Sequence, residues 1–191
     1  WKYITNGLGV TLKVTFFAVL IGIVLGFLVG IIRSTHERTG KFKFLNAICK
    51  VYLTVIRGTP VVVQLLIIYF VIFASTDVSK VFAAIMAFGI NSGAYVAEIC
   101  RSGIMSIDIG QLEAGRSLGF SYGRTMWYII LPQAFKNVLP ALGNEFIVLL
   151  KETSVAGYIA LEDLTKGGDI IRSRTYDAFF PLMAVAAIYL I

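Results

Sequence analysis

Long apolar runs separated by short polar segments dominate the hydrophobic pattern of this chain. Residues 14–32 contain no charged side chain. At about 1.5 Å of rise per residue, a helix of this length crosses a hydrocarbon core of about 30 Å. Two more charge-free runs cover residues 58–76, extended at the front by residues 51–56, and residues 81–97. The pattern predicts a membrane-spanning helix at each of these three places.

A fourth apolar run covers residues 127–150, although Lys136 and Glu145 interrupt it. Proline removes a backbone donor and crowds the preceding turn, so we expect this helix to bend at Pro132 and Pro140. Its length predicts a fourth span despite the two charges.

A fifth apolar run begins at residue 178 and continues to the last residue of the sequence. Because it stops without a polar residue, and because the first residue is not Met, we expect a piece of a slightly longer protein. The five runs predict an all-α integral membrane protein with five transmembrane helices. We find no internal repeat or linker, so residues 1–191 are expected to form a single transmembrane domain.

Composition agrees with this class, since 58% of the residues are hydrophobic and 15% are charged. The formal net charge is +6, but the basic residues lie in short loops between apolar runs rather than on one face. This distribution excludes a nucleic-acid-binding surface and favours the surface of a lipid bilayer. Cys49 and Cys100 show no metal-binding spacing, so we expect two reduced, buried thiols.

The loop charges predict the orientation. Residues 33–50 carry five basic side chains and one acidic side chain. They are Arg33, Arg38, Lys41, Lys43 and Lys50, with Glu37 as the acid. The positive-inside rule places this segment in the cytoplasm. Residues 75–80 and 151–177 are then external, and the N-terminus lies outside.

A polar segment at residues 106–126 separates the third and fourth runs. Good helix formers at residues 111–118 follow Asp108, a suitable N-cap, and Gly119 is a suitable C-terminal stop. One side of this helix carries small or apolar residues, and the other carries charges. The first side comprises Leu112, Gly115, Leu118 and Gly119, and the second comprises Glu113 and Arg116. Local chemistry leaves open an ordinary capped loop helix or a knob that another protein contacts.

A wider pattern around this helix resembles the EAA signature of permease subunits in ATP-binding-cassette (ABC) importers. The pattern is Glu113-Ala114-Gly115, then Gly119, then residues 129–132 with the sequence IILP. Glycine stands at the third position, where alanine is usual. The stretches IRGTPVVVQLL, NSGAYVAEICRSGI and LLKETSVAGYI resemble the polar amino-acid permeases that serve histidine, arginine, glutamine and glutamate uptake.

This resemblance implies a type I ABC importer permease in a bacterial cytoplasmic (inner) membrane. Its implied partners are a second permease subunit in a homo- or heterodimer, ATPase subunits, and an extracellular solute-binding protein or domain. The segment at 106–126 would hold the coupling helix. It would contact the ATPase through Glu113, Ala114, Gly115, Leu118 and Gly119. We expect no cofactor in this chain, because ATP and Mg would be bound by the ATPase.

Polar side chains inside the apolar runs are candidates for substrate binding, because burying them in a membrane is costly. They are Gln64, Asn91, Tyr95, Glu98, Glu145 and Lys151. Four of them also have a structural alternative. Asn91 and Tyr95 could join helices by hydrogen bonds, and Glu98 could pair with Arg101 or Arg57. Lys151 could extend to the membrane interface.

Other function classes fit less well. An ungated pore or channel remains the alternative, but its lining usually shows rings of like charge. An intramembrane enzyme would need paired catalytic groups such as H-E-x-x-H, which the sequence lacks. No G-x-x-x-x-G-K-[ST] stretch is present either, so we expect no ATPase site in this chain. The sequence shows no Ser/His/Asp or metal-binding cluster, so we expect neither a catalytic nor a metal site. The glycines at 22, 26 and 30 predict a surface for close helix packing, on which a partner permease subunit could pack.

Overall fold

The computed structural model describes residues 1–190, which form helices joined by short turns, with no strand in that range. The helices are α1 (Lys2–Thr39), α2 (Lys43–Gly58), α3 (Val61–Ile67), α4 (Lys80–Met105), α5 (Ile109–Ser117), α6 (Tyr122–Thr125), α7 (Leu131–Glu152), α8 (Leu164–Thr175) and α9 (Phe179–Leu190). π-helical turns at Ile68–Ile72 and Met126–Ile130 extend α3 and join α6 to α7, and a 3-10 segment, Thr153–Ile159, follows α7. The all-α prediction is confirmed.

Helices α1 and α4 form the centre of the molecule and run parallel to each other. Gly22 faces Ser92, Gly26 faces Val96, and Gly30 faces Cys100. The residue numbers rise together, so both helices begin at the same end. The glycines do form a packing surface, but they face this chain's own α4 rather than another subunit. Because glycine has no side chain, the two backbones approach each other closely at these three positions.

Residues 40–79 must return the chain from the end of α1 to the start of α4. They do so as two helices, α2 and α3, bent by 108° at a short break. The run at 58–76 was predicted as a helix extended at its front by 51–56, and the structure instead breaks it at Thr59 and Pro60. Pro60 precedes α3 and provides no backbone donor, so α2 cannot continue through it.

The segment at 33–50 is almost wholly helical, whereas we expected a basic loop. The α1 helix continues to Thr39, and α2 begins at Lys43. Only three residues separate them, and Gly40 and Phe42 both have left-handed backbones, with φ of 68° and 59°. Basic side chains did not prevent helix formation, because α2 buries only one face and leaves its lysines exposed.

Helix α7 runs antiparallel to α4. Ser92 near the middle of α4 lies beside Glu145, and Ser106 beyond its end lies beside Asn137. The helical path begins at Tyr122, earlier than the predicted residue 127, because the π-helical turn carries it on from α6 to α7 without interruption. The structure keeps Pro140 inside α7, and Pro132 follows the π-helical turn.

The segment at 151–177, expected as an external loop, contains the 3-10 turn and α8. Asp163 caps α8 by accepting bonds from the backbone N–H groups of Thr165 and Lys166. The Thr11 hydroxyl accepts a bond from the Leu164 N–H at 3.1 Å, which fixes α8 against the first turns of α1. Burial raises the pKa of the Asp163 carboxyl. Helix α9 then begins at Phe179, one residue after the predicted start at 178.

Length and composition identify two helices, α1 and α4, that can cross a membrane alone, and a third crossing if α2 and α3 are taken as one bent span. Helix α7 is long enough but carries four charged residues, Lys136, Glu145, Lys151 and Glu152. Helix α9 is apolar but has 12 residues in the described range. The count of five spans therefore stays a prediction.

Candidate functional site

A groove of about 480 Å³ opens between α4 and α7, next to the end of α2. Its charged and aromatic lining residues are Arg57, Tyr95, Glu98 and Glu145. Three of these four were predicted as substrate ligands, two from α4 and one from α7. The structure therefore brings Tyr95, Glu98 and Glu145 together in one groove, with Arg57 as an added cation.

Two of the groove charges lack an ionic partner within residues 1–190. The Arg57 guanidinium lies 5.6 Å from the centre of the Tyr95 ring, a cation–π arrangement, and forms no ion pair with any described residue. Glu145 accepts a hydrogen bond from the buried Ser92 hydroxyl at 2.8 Å and likewise has no cation paired with it in the described chain. The groove thus presents one guanidinium and one carboxyl group that have no ion-pair partner within residues 1–190.

Glu98, in contrast, is already neutralised. It accepts a hydrogen bond from Arg101 Nε at 3.0 Å and lies 3.6 Å from Arg33. Glu37 completes the arrangement, at 3.4 Å from Arg33 and 3.0 Å from Arg101. Two arginines and two glutamates thus alternate in a closed ring between α1 and α4. The pairing of Glu98 with Arg101 was the structural alternative, whereas Arg33 and Glu37 were not identified from the sequence as members of this site.

Gln64 and Asn91 point to each other rather than into the groove. The Asn91 Nδ2 donates to Gln64 Oε1 at 3.0 Å, and both side chains are buried. Gln64 Nε2 lies 2.7 Å from the Ile56 carbonyl and 3.0 Å from the Thr59 carbonyl. The Gln64 amide thus satisfies backbone acceptors that the break after α2 leaves without helical partners. Interhelical hydrogen bonding, the alternative for Asn91, is what the structure contains.

Lys151 lies apart from the other candidates. It is exposed and sits near the end of α7, six residues after Glu145. The groove lining does not include it. Of the six predicted ligands, three line the groove, two hold the bend between α2 and α3, and Lys151 lies on the surface. Whether any of them binds a substrate stays a prediction.

The predicted coupling helix is α5, whose first and last turns both carry a recognisable cap. The Asp108 carboxylate accepts from the Gly110 N–H at 2.6 Å. At the other end Gly119 has a φ of 85°, its N–H donates to Arg116, and the Phe120 N–H donates to Gly115. This pair of bonds is a Schellman motif, which requires a left-handed residue at the position of Gly119.

The small and apolar residues of α5 do not all lie on one side, contrary to the prediction from the sequence. Gly115 is buried against Thr125 and Ile129 of the same chain, and Leu112 packs against the same region. Leu118 is 77% exposed, so it does not share the inward face with Leu112. Glu113, Ala114 and Gly119 are exposed as well. The small residue Gly115 therefore fixes α5 to this chain, and the surface available to another protein comprises the four remaining candidates.

Comparisons with known proteins place these features in a family. The model of the family described as "Binding-protein-dependent transport system inner membrane component" matches residues 18–191. The arginine transport system permease protein ArtQ of Bacillus subtilis is 38% identical over 189 residues, which is 98% of this chain and 84% of the relative. The glutamine transport system permease protein GlnP of Escherichia coli is 38% identical over 182 residues, or 94% and 83%.

Solved structures show the same fold. A crystal structure of an amino acid ABC transporter with histidines contains a chain that matches with a TM-score of 0.88 and 45% identity. The match covers 99% of this chain and 86% of the other. The MetNI methionine ABC transporter in an inward-facing conformation matches with a TM-score of 0.82 at 20% identity, covering 100% and 91%. The latter likeness concerns the fold alone.

Proposed function

This chain belongs to the family of binding-protein-dependent transport system inner membrane components, and we propose that its groove between α4 and α7 holds the transported amino acid. The chain is a permease subunit of an amino-acid ABC importer. The single observation that carries the proposal is the pair of unmatched charges, Arg57 and Glu145, that line one groove.

A free amino acid is a zwitterion, so a binding groove needs one cation and one anion. Arg57 offers a planar guanidinium, which recognises a carboxylate through two parallel hydrogen bonds. Glu145 offers a carboxylate for the substrate ammonium, and Ser92 holds that carboxylate in place at 2.8 Å. The Tyr95 ring steadies Arg57 from the side. Arg33 and Arg101 neutralise Glu98 within the ring that Glu37 completes. We therefore assign Glu98 a structural role in this groove.

A polar amino acid is the substrate class that fits these charges. Two relatives are named for arginine and glutamine transport, and one solved structure contains histidines. The groove has room for a side chain of that size, at about 480 Å³. Its lining adds hydroxyl and amide groups from Ser102, Ser106 and Asn137 that suit a polar side chain.

The complete transport path requires further subunits. The family implies ATPase and substrate-binding partners. The groove opens on the surface of this chain, so we assign a second permease subunit to its other side. We further assign five crossings, by α1, the α2–α3 pair, α4, α6–α7 and α9, with the N-terminus outside in the bacterial inner membrane. Helix α5 then lies at the cytoplasmic end and serves as the coupling helix.

The substitution Glu145→Gln tests the groove directly. Reconstituted with its ATPase and binding protein, this variant should show a KM for amino-acid uptake raised roughly tenfold to hundredfold, since a hydrogen bond to a charged group contributes about 1.5–3 kcal/mol. Glu162→Gln is the matched control, because Glu162 is exposed and lies outside the groove. Equal KM values for the two variants would remove Glu145 from the substrate path.

A further inference from the structure

A second cleft, distinct from the substrate groove, runs between α1 and the helical path that starts at α6. Its deeper part is an apolar cavity of about 520 Å³. Phe27 and Ile31 of α1 line one side, and Trp127, Leu131 and Phe135 line the other. Its other part is a hollow of about 600 Å³ lined by Thr35 and Thr39 of α1, together with Lys41, Arg116, Ser121 and Tyr122.

The two cavities follow one another along the same helix faces. Phe27, Ile31, Thr35 and Thr39 are spaced by four residues, so they form one stripe on α1. Each step of four residues is about 6 Å along the helix axis. The lining of the cleft thus changes from apolar to polar within one turn, between Ile31 and Thr35. On the opposite wall, Ser121 and Tyr122 line the polar hollow and Trp127 lines the apolar cavity.

The polar hollow carries positive charge that this chain does not neutralise. Within residues 1–190, neither Lys41 nor Arg116 forms an ion pair, whereas the nearby Arg33 and Arg101 are both paired with glutamates. An anion with several acceptor oxygens would match the two cations.

We propose that this cleft binds one anionic phospholipid, with an acyl chain in the apolar cavity and the phosphate headgroup in the basic hollow. A soluble phosphate compound would explain the hollow but not the adjoining apolar cavity. An acidic surface of another protein would not fill the apolar cavity, which lies at the depth of the membrane. Trp127 and Tyr128 are exposed and mark the level of the membrane surface, because tryptophan and tyrosine favour the interface between hydrocarbon and water. The proposal uses the orientation given above, which places the hollow at the cytoplasmic leaflet, where basic pockets between helices attract anionic headgroups.

The lipid occupies the space between α1 and the connection from α5 to α7. Arg116 belongs to α5, and Ser121 and Tyr122 lie directly after it. A bound headgroup would therefore join the end of α1 to the predicted coupling helix. We expect ATP-driven uptake to be faster in vesicles that contain anionic lipid than in vesicles of neutral lipid alone.

The test uses the assembled transporter purified in detergent and exposed to vesicles of phosphatidylcholine with or without phosphatidylglycerol. Native mass spectrometry counts the phosphatidylglycerol retained. Lys41→Gln should lower that retention roughly fivefold, the effect of one basic charge near a membrane surface. Lys43→Gln removes the same charge two residues away and outside both cavities, so it should leave retention unchanged. Leu131→Trp fills the apolar cavity without changing charge and should also lower retention.

Three outcomes would overturn the proposal. Equal retention in Lys41→Gln and Lys43→Gln would show that the hollow is not the site. If Leu131→Trp retained normal phosphatidylglycerol while inorganic phosphate displaced it, the hollow would bind a free anion rather than a lipid. If Lys41→Gln weakened only the co-purification of the ATPase, the positive charge would serve a protein contact. None of these measurements depends on Glu145 or on the substrate groove.

Discussion

Three glycines on α1 determine how closely the two central helices approach. A β-carbon at Gly26 would lie 2.4 Å from Val96 Cγ1 and 2.9 Å from the backbone nitrogen of Ala97. Neither neighbour can move cheaply, since one is a β-branched side chain and the other is backbone. Gly9 lies on the same helix with no atom within 4 Å of its would-be β-carbon. The same residue type therefore has opposite roles at two places on α1.

We expect Gly26→Ala to lower the stability of the protein by about 1–3 kcal/mol, because the added methyl group overpacks a close helix contact. Gly9→Ala should have no adverse effect, and the better helix propensity of alanine can add up to about 1 kcal/mol. The measurement is the midpoint of thermal unfolding in detergent for both variants. A fall of the midpoint in Gly9→Ala as large as that in Gly26→Ala would contradict the close-packing explanation.

At the scale of elements, the bend between α2 and α3 is held by one buried amide. Gln64 on α3 donates to the Ile56 and Thr59 carbonyls at the end of α2 and accepts from Asn91 on α4. Arg57 lies directly before this break, at the edge of the groove between α4 and α7. The amide therefore fixes the 108° bend and, through it, the position of the groove cation.

Gln64→Leu keeps a similar volume but removes these hydrogen bonds. Each buried carbonyl or amide left without a partner costs about 1–3 kcal/mol, so we expect a lower unfolding midpoint. We also expect a higher KM for uptake, because Arg57 loses its fixed position. Gln133→Leu is the control, since Gln133 is exposed and bonds only to the Ile129 carbonyl of its own helix. If both variants kept the wild-type midpoint and KM, Gln64 would have no positioning role.

The sequence predicts elements well where one physical rule decides them. The charge-free runs at 14–32 and 81–97 lie inside α1 and α4, because long apolar helices need no further information. The ends of α5 follow from Asp108 and Gly119, whose capping chemistry is local. Residues 51–56 of α2 were predicted as helix, but residues 43–50 were expected in a basic loop, because the sequence does not show that this helix buries only one face and leaves its lysines exposed.

The candidate site was predictable only in part, because contacts between helices depend on their rotation and register. Polar residues at membrane depth identified Tyr95, Glu98 and Glu145, which do share a groove. No sequence signal separates them from Gln64 and Asn91, whose amides face each other. The pairing of Glu98 with Arg33 across α1 and α4 likewise follows only from the parallel packing of those helices.

At the scale of the whole molecule, α5 is attached to the helices that line the groove. Gly115 packs on Thr125 and Ile129 at the start of the path to α7. Arg38 at the end of α1 donates to the carbonyls of Ile104 and Ile107, at 2.8 and 3.1 Å. Helix α5 thus packs on the start of the path to α7, and the end of α4, which leads into α5, is bonded to α1. This attachment supports the proposed role of α5 as a coupling helix.

The cap of α5 provides a test of that role. Gly119→Val places a β-branched residue at a φ of 85°, which such residues rarely adopt. We expect ATP-driven uptake to be lost while membrane insertion remains normal. Gly119→Asn is the control, because asparagine tolerates the left-handed conformation, and it should retain uptake. Unchanged uptake in Gly119→Val would mean that the geometry of this cap does not matter for coupling.

The exposed face of α5 provides an independent test of where the ATPase docks. Glu113 is exposed and makes no ion pair with a residue in the range 1–190, so its charge is available to a partner. Reversing it in Glu113→Lys creates like-charge repulsion wherever the partner offers a cation, which should weaken co-purification of the ATPase at low salt. Glu162→Lys makes the same change at an exposed residue just before α8, at the opposite end of the molecule, and should leave co-purification intact.

Because salt screens charges over about 8–10 Å at physiological ionic strength, the difference between the two variants should shrink as salt is raised. Equal yields of ATPase with both variants at low salt would place the docking surface elsewhere on this chain.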